Sequence, residues 1–85
     1  MDEQINQAFE NVEATIKAAG GTGWDQVYKV RSYHCPINEE VINEKMMANL
    51  KKWCPNHAPL WTCVGVTALG RPDMNVEIEV KAHVP

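Results

Sequence analysis

The sequence predicts a single α+β domain in which two helices cover one face of a small sheet, in the order α-β-α-β-β. Two segments carry apolar residues at helical spacing, and three others are rich in β-branched and aromatic residues. The chain has 85 residues, which is enough for one domain, residues 1–85. A domain this small buries only about 60% of its unfolded surface, so we expect self-association or very good packing to supplement its core.

The first helix is predicted at residues 3–19. Its apolar side chains recur at spacings of three and four residues: Ile5, Phe9, Val12, Ile16 and Ala19. Gly20 and Gly21 predict its end, because glycine readily adopts the left-handed conformation that closes many helices. Trp24, in the loop that follows, is expected to pack beneath that loop.

The first strand is predicted at residues 26–34, which are rich in β-branched and aromatic side chains. Pro36 predicts its end, because proline cannot donate a hydrogen bond to a central ladder. His34 and Cys35 are then expected at the surface of the strand's end, and a position in a cleft is the alternative.

The second helix is predicted at residues 39–53, with Asn38 as its N-cap. Glutamates in its first turn and lysines in its last turn complement the helix dipole. Two further strands are predicted at residues 60–68 and 75–83, joined by a Gly-Arg-Pro-Asp turn as a hairpin. Because both helices need an apolar surface, we expect them on one face of the sheet and the other face uncovered.

Alternation along the last two strands assigns their side chains to faces. In the last strand, one set is expected to face the helices: Val76, Ile78, Val80 and Ala82. The other set is expected to face away: Glu77, Glu79, Lys81 and His83. Trp61, Cys63 and Gly65 share one face of their strand, and we expect it to coincide with the glutamate face. An indole, a thiol and carboxylates on an uncovered face would be typical of an interface or a pocket.

Composition restricts the class of protein. The net charge is −3 and there is no basic stripe, which argues against non-specific binding to nucleic acid or to an anionic membrane. The three cysteines are odd in number and lack a Cys-x-x-Cys pair, which favours a reducing compartment over a disulfide framework. The N-terminal residues contain neither a signal peptide nor an apolar span. We expect a cytoplasmic protein, or a mitochondrial one if a presequence stands upstream.

No cofactor or metal is predicted. Cys54 and His57 have the spacing of metal ligands, but a structural zinc site needs four ligands and no second pair follows.

Four segments carry a family resemblance: AFENVEATIKAAG, QVYKVRSYHCPINEE, PLWTCVGVTAL and NVEIEVKAHV. Their order and spacing resemble the YjgF/RidA (Rid) family over nearly the whole chain, and W-T-C-V-G-V resembles a fungal-type subgroup. The resemblance implies a chorismate-mutase-like fold that forms a barrel as a homotrimer, with clefts between neighbouring subunits that hold a small metabolite. Family members usually begin with a β-hairpin and a third strand before the first helix, and residues 1–85 contain no counterpart of these strands.

The resemblance also implies an activity, the hydrolysis of a small reactive enamine or imine to a ketone and ammonia. Deaminating members use an arginine to pair with the substrate carboxylate, a cysteine two residues later, and a glutamate that positions water. The matching positions here are Trp61, Cys63 and Glu77. Tryptophan cannot form a bidentate ion pair with a carboxylate, so Arg31 or Arg71 is the alternative cation.

The candidate site therefore contains Glu77 and Cys63 as catalytic residues, with Trp61, Gly65 and Arg31 as substrate-binding residues. Each has a structural alternative: Glu77 as a solvated strand carboxylate, Cys63 as a small packing residue, and Trp61 as an interface residue. Two other functions stay open. One is a trimeric module that binds a metabolite or a protein partner without catalysis. The other is a translation inhibitor or ribonuclease, which the acidic charge disfavours.

Overall fold

The computed structural model describes residues 2–84 and confirms the predicted order of elements. The helices and strands are α1 (Asp2–Ala18), β1 (Val27–His34), α2 (Glu39–Trp53), β2 (Leu60–Gly65) and β3 (Val76–Ala82). A short 3₁₀ turn, Trp24–Gln26, precedes β1. Neither helix in this part of the chain is long and apolar enough to cross a membrane.

The three strands form one mixed sheet in the order β2-β1-β3. β1 is parallel to β2 and antiparallel to β3, so the predicted hairpin of the last two strands is wrong. The segment between them crosses the end of β1 instead of turning back on itself. Val66 N–H donates to His34 O (2.9 Å) and Cys35 N–H donates to Asn75 O (3.0 Å), which fixes both ends of this crossing.

The end of α1 and the start of α2 are formed by the residues that the sequence predicts. At the end of α1, Gly21 N–H donates to Ile16 O (2.9 Å) and Gly20 N–H donates to Lys17 O (3.1 Å). This pair of bonds is a Schellman motif, and Gly20 has the positive φ of 96° that the motif requires. At the start of α2, the Asn38 side chain accepts a hydrogen bond from Val41 N–H (3.3 Å).

The core lies between the two helices and one face of the sheet. Its buried apolar side chains come from every helix and from β1 and β3: Ile5, Phe9, Ile16, Trp24, Val27, Val30, Ile42, Met46, Cys54 and Val76. Trp24 is 1% exposed, and its ring stacks on Phe9 at a centroid distance of 4.6 Å. Its indole N–H donates to Phe9 O (2.8 Å), so Trp24 is a central core residue as well as a support for its loop.

Candidate functional site

The register of the sheet places Trp61, Cys63 and Gly65 on the face that the helices cover. Trp61 is opposite Val30, Cys63 is opposite Ser32, and Gly65 is opposite His34. In an aligned ladder, residues that face each other across neighbouring strands point to the same side. We call this side the helix-side face, and its members are Val30, Ser32, His34, Trp61, Cys63, Gly65, Val76, Ile78 and Val80.

Glu77 and Arg31 lie on the opposite side. Tyr33 is opposite both Val64 and Glu77, and Arg31 is opposite both Thr62 and Glu79. We call this side the open face, and its members are Lys29, Arg31, Tyr33, Leu60, Thr62, Val64, Glu77, Glu79 and Lys81.

The expectation that the Trp61, Cys63 and Gly65 face coincides with the glutamate face is therefore wrong. It assumed that β2 and β3 are neighbours, whereas β1 lies between them and its register with each strand sets which side chains share a side. The helix-facing assignment of Val76, Ile78 and Val80 is confirmed. Within one chain, the sheet separates Cys63 from Glu77.

The helix-side face carries a short chain of hydrogen bonds that sequence reasoning missed. Trp61 indole N–H donates to Ser32 Oγ (2.9 Å), and Ser32 Oγ lies 2.8 Å from His34 Nε2. Ser32 and His34 are 0% and 1% exposed, so the expectation that His34 lies at the surface is wrong. The available signal was the alternation of Val30, Ser32 and His34, which puts two polar residues at core positions of a buried strand.

The surroundings of His34 favour its neutral form. Burial lowers the pKa of its imidazole, because a charged ring would lose its hydration there. Its Nδ1 atom has no hydrogen-bond partner among residues 2–84. A protonated ring would carry two N–H donors and would leave one of them buried without an acceptor.

We expect this histidine to make the fold acid-sensitive. Its pKa is depressed in the folded state, so below the unfolded value of about 6.5 the unfolded chain binds a proton that the folded chain does not. The free energy of unfolding should therefore fall as the pH drops below this unfolded value, by at most about 1.4 kcal/mol per pH unit. Urea unfolding at several pH values measures this slope. His34→Gln should flatten this slope, while the matched change His83→Gln at an exposed histidine should leave the slope unchanged. An equal slope in both variants would show that His34 is not the source of the acid sensitivity.

Gly65 is exposed, but Ile37 restricts the space beside its Cα atom. A Cβ atom at this position would lie 3.0 Å from Ile37 Cγ2, closer than ordinary van der Waals contact. Cys63 is half-buried and packs against the core, and so does Trp61. The exposed residues of β2 are Leu60, Thr62 and Gly65, whereas Trp61 and Cys63 are only partly accessible.

The open face combines a cation, a hydroxyl and carboxylates. The Tyr33 hydroxyl, followed by the charge of Glu79, raises the pKa of the Arg31 guanidinium above its ordinary value. Arg31 and Glu77 are diagonal neighbours on this face. Arg71, the other candidate cation, is exposed and forms an ion pair with Asp73 (3.0 Å) in the segment between β2 and β3. Of the two candidate arginines, Arg31 is therefore the one that shares a face of the sheet with Glu77.

Cys54 and His57 contact different backbone carbonyls. Cys54 Sγ lies 3.8 Å from Trp24 O, and His57 Nε2 lies 2.8 Å from Val27 O. Burial, followed by the charges of Glu13 and Asp25, raises the pKa of the Cys54 thiol. Across residues 2–84, no group of three or more histidine, cysteine or acidic side chains is placed to hold a metal ion.

Comparison with known proteins identifies the class to which this α+β domain belongs. The model of the Endoribonuclease L-PSP family matches residues 1–84. The RutC family protein YjgH of Escherichia coli K12 is 36% identical over 83 residues, which cover 98% of this chain and 60% of that protein. The chain therefore belongs to the Endoribonuclease L-PSP family, the YjgF/Rid family of the sequence prediction.

Solved structures confirm the fold. The Rid-family protein YyfB from Yersinia pestis superposes with a TM-score of 0.87 at 24% identity, over 99% of this chain and 62% of that chain. A structure of YjgH gives a TM-score of 0.80 at 35% identity, with the same coverage of 99% and 62%. The chain thus spans about three fifths of the length of the relatives it matches.

Proposed function

We propose that this chain is a Rid-type imine or enamine hydrolase whose reaction site is completed by two neighbouring copies of the chain. The observation that carries the proposal is the placement of Cys63 on the helix-side face and Glu77 on the open face of one sheet. A site that uses both side chains must combine β2 of one copy with the open face of another. Among residues 2–84, β2 is an edge strand, so its Trp61 and Cys63 can meet such a neighbour without displacing another strand of this part of the chain.

The assembly that suits this arrangement is the homotrimer implied by the family resemblance, with one cleft at each boundary between copies. Each cleft would receive Trp61 and Cys63 from one copy, and Glu77 and Arg31 from the next. Arg31 would bind the carboxylate of an imino acid, since residue 61 lacks the charge to do so. The indole of Trp61 would form an apolar wall of the cleft. We place this activity in the cytoplasm, in line with the free cysteines.

The chemistry requires a positioned water and a carboxylate. Glu77 would accept a proton from water as the oxygen attacks the carbon of the C=N bond, and would pass that proton to the nitrogen, which gives a carbinolamine. The regenerated carboxylate would then take the hydroxyl proton of the carbinolamine and deliver it to the nitrogen. The carbon–nitrogen bond breaks, and the products are a ketone and ammonia.

A second function is favoured by Trp61 itself. Its indole already donates to Ser32, and it replaces the residue that would hold a substrate carboxylate. An oligomer that binds a small uncharged or aromatic metabolite without turnover would use the same cleft. Such a binding protein differs from the hydrolase in one respect. Its affinity for the ligand would be unchanged in Glu77→Gln. Ribonuclease activity fits least, because the chain carries a net charge of −3.

Mixing two inactive variants tests whether the site is shared. We expect Glu77→Gln and Cys63→Phe each to remove nearly all imine hydrolysis, measured as ketone formation above the spontaneous rate. Co-refolded in equal amounts, they should regain about a quarter of the wild-type rate, because that fraction of clefts pairs an intact β2 with an intact Glu77.

The matched control is each variant refolded alone, which should remain inactive. Circular dichroism checks that both fold, and Cys63→Leu replaces Cys63→Phe if the larger ring does not. If the wild type hydrolyses the imine but the mixed variants do not, the site is not shared between copies. No hydrolysis by the wild-type oligomer, together with metabolite binding, would favour the second function.

A further inference from the structure

A buried serine links Trp61 to the centre of the sheet. Trp61 indole N–H donates to Ser32 Oγ (2.9 Å), and Ser32 Oγ lies 2.8 Å from His34 Nε2. Ser32 is 0% exposed and belongs to β1, which pairs with β2 on one side and with β3 on the other. The indole on β2 is therefore anchored to a strand that is held along both of its edges.

His34 fixes the position of the serine hydroxyl. A hydroxyl has one donor and two acceptor positions, so Ser32 Oγ can accept from Trp61 and still bond to His34, whichever ring nitrogen of the histidine carries the proton. Because Ser32 and His34 are 0% and 1% exposed, bulk water does not compete for either bond. Two bonds from different directions favour a single rotamer of Ser32.

The register of the sheet brings the serine and the indole together. Trp61 is opposite Val30 and Ser32 is opposite Cys63, so the two side chains are diagonal neighbours on the helix-side face. An apolar side chain at residue 32 would leave the indole N–H without this acceptor. A tryptophan at residue 61 and a hydroxyl at residue 32 therefore support each other, since an indole N–H that packs against a core needs a hydrogen-bond partner.

The same hydrogen bond decides what Trp61 can offer a ligand. The N–H is the only hydrogen-bonding group of an indole, and Ser32 already accepts from it. Trp61 packs against the core but stays partly exposed. Its accessible part can contact a ligand only through the atoms of the apolar ring, and the group that suits such a ring best is another aromatic ring.

Anchoring also makes the indole selective. A free side chain loses rotamer freedom when a ligand orders it, and this loss weakens binding. The indole of Trp61 is already ordered by Ser32, so a flat ligand group that covers the ring binds without that cost. A methyl group covers too little of the ring to gain as much.

We propose that Ser32 is a positioning residue, which holds the Trp61 indole so that the cleft selects imines carrying an aromatic substituent. The inference rests on the proposed function, because it names the substrate class of the same cleft. Arg31 would bind the carboxylate of the imine, and the anchored indole would contact the aromatic substituent.

A double-mutant cycle tests this role. We expect the wild type to have a lower KM for the imine of phenylpyruvate than for the imine of pyruvate, which lacks the ring. Ser32→Ala should raise KM for the aromatic imine about threefold to tenfold, the effect of one hydrogen bond, and leave kcat unchanged. In a Trp61→Phe background, which has a ring but no N–H, Ser32→Ala should have no further effect. Asn49→Ala removes another buried, hydrogen-bonded side chain, on α2, and should leave the preference unchanged.

Binding without turnover separates this inference from the proposed function. Calorimetry repeats the cycle with the two product ketones, phenylpyruvate and pyruvate. If the wild type hydrolyses neither imine, the proposed hydrolase is wrong. The role of Ser32 then stands if phenylpyruvate binds more tightly than pyruvate and Ser32→Ala weakens its binding only when Trp61 is present.

Two further variants keep the test decisive. Ser32→Thr keeps the hydroxyl and should keep the preference for the aromatic ligand. If Ser32→Ala does not fold by circular dichroism, Ser32→Cys takes its place, because a thiol is a weaker acceptor. No preference for the aromatic ligand in KM or in affinity would overturn the inference. An equal effect of the Ser32 change with and without Trp61 would also overturn it, since the serine would then act on the fold alone.

Discussion

Replacement of Glu77 by glutamine should reduce kcat/KM for imine hydrolysis by about a hundredfold or more, because a positioned general base contributes about 10²–10⁴ to a rate. The amide keeps the size of the side chain but cannot accept a proton from water. Glu77 lies on the open face beside Tyr33, so the substitution removes no core contact and the oligomer should form as before. Ketone formation from an imine generated in the assay, corrected for spontaneous hydrolysis, gives the rate.

Two further variants make this result specific. Glu44→Gln removes an exposed carboxylate on α2 and should not change the rate. Arg31→Gln should raise KM for imines that carry a carboxylate and leave KM for uncharged imines unchanged, because its proposed role is to bind that carboxylate. A Glu77→Gln enzyme with wild-type kcat would remove Glu77 from the reaction.

The helices were predictable because their signals are local. Asn38 as the N-cap and the glycines after α1 satisfy backbone groups within a few residues of themselves, so the sequence alone indicates both ends. The same holds for the spacing that buries Ile5, Phe9 and Ile16.

The pairing of the strands was not predictable in this way. A turn sequence between two strands favours a hairpin, but the segment after Gly65 crosses the end of β1, and the bonds that hold it there join residues far apart in the chain. Because the side chains of a strand alternate, the identity of the neighbouring strand decides which residues share a side. The separation of Cys63 from Glu77 follows from this non-local pairing, and so does the shared position of Arg31 and Glu77.

Trp24→Ala should destabilise the chain by about 3–5 kcal/mol, the usual cost of deleting a buried aromatic ring. The cavity would open against Phe9, which stacks on the indole at 4.6 Å, and the hydrogen bond to Phe9 O would be lost. An 85-residue domain has a total stability of about 4–13 kcal/mol, so this one change removes much of it. Urea unfolding followed by circular dichroism measures the loss without relying on tryptophan fluorescence.

Trp24→Phe separates the two contributions. It keeps an aromatic ring against Phe9 but loses the N–H donor to Phe9 O. Both variants lose this hydrogen bond, so the difference between their costs measures the packing of the ring. We expect that difference to exceed the value of one hydrogen bond, about 0.5–1.5 kcal/mol. Trp53→Phe, at a half-buried ring on the last turn of α2, should have a small effect. If Trp24→Ala and Trp53→Phe were equally mild, Trp24 would be a loop support alone, and the stability of the chain would have to come from contacts between copies.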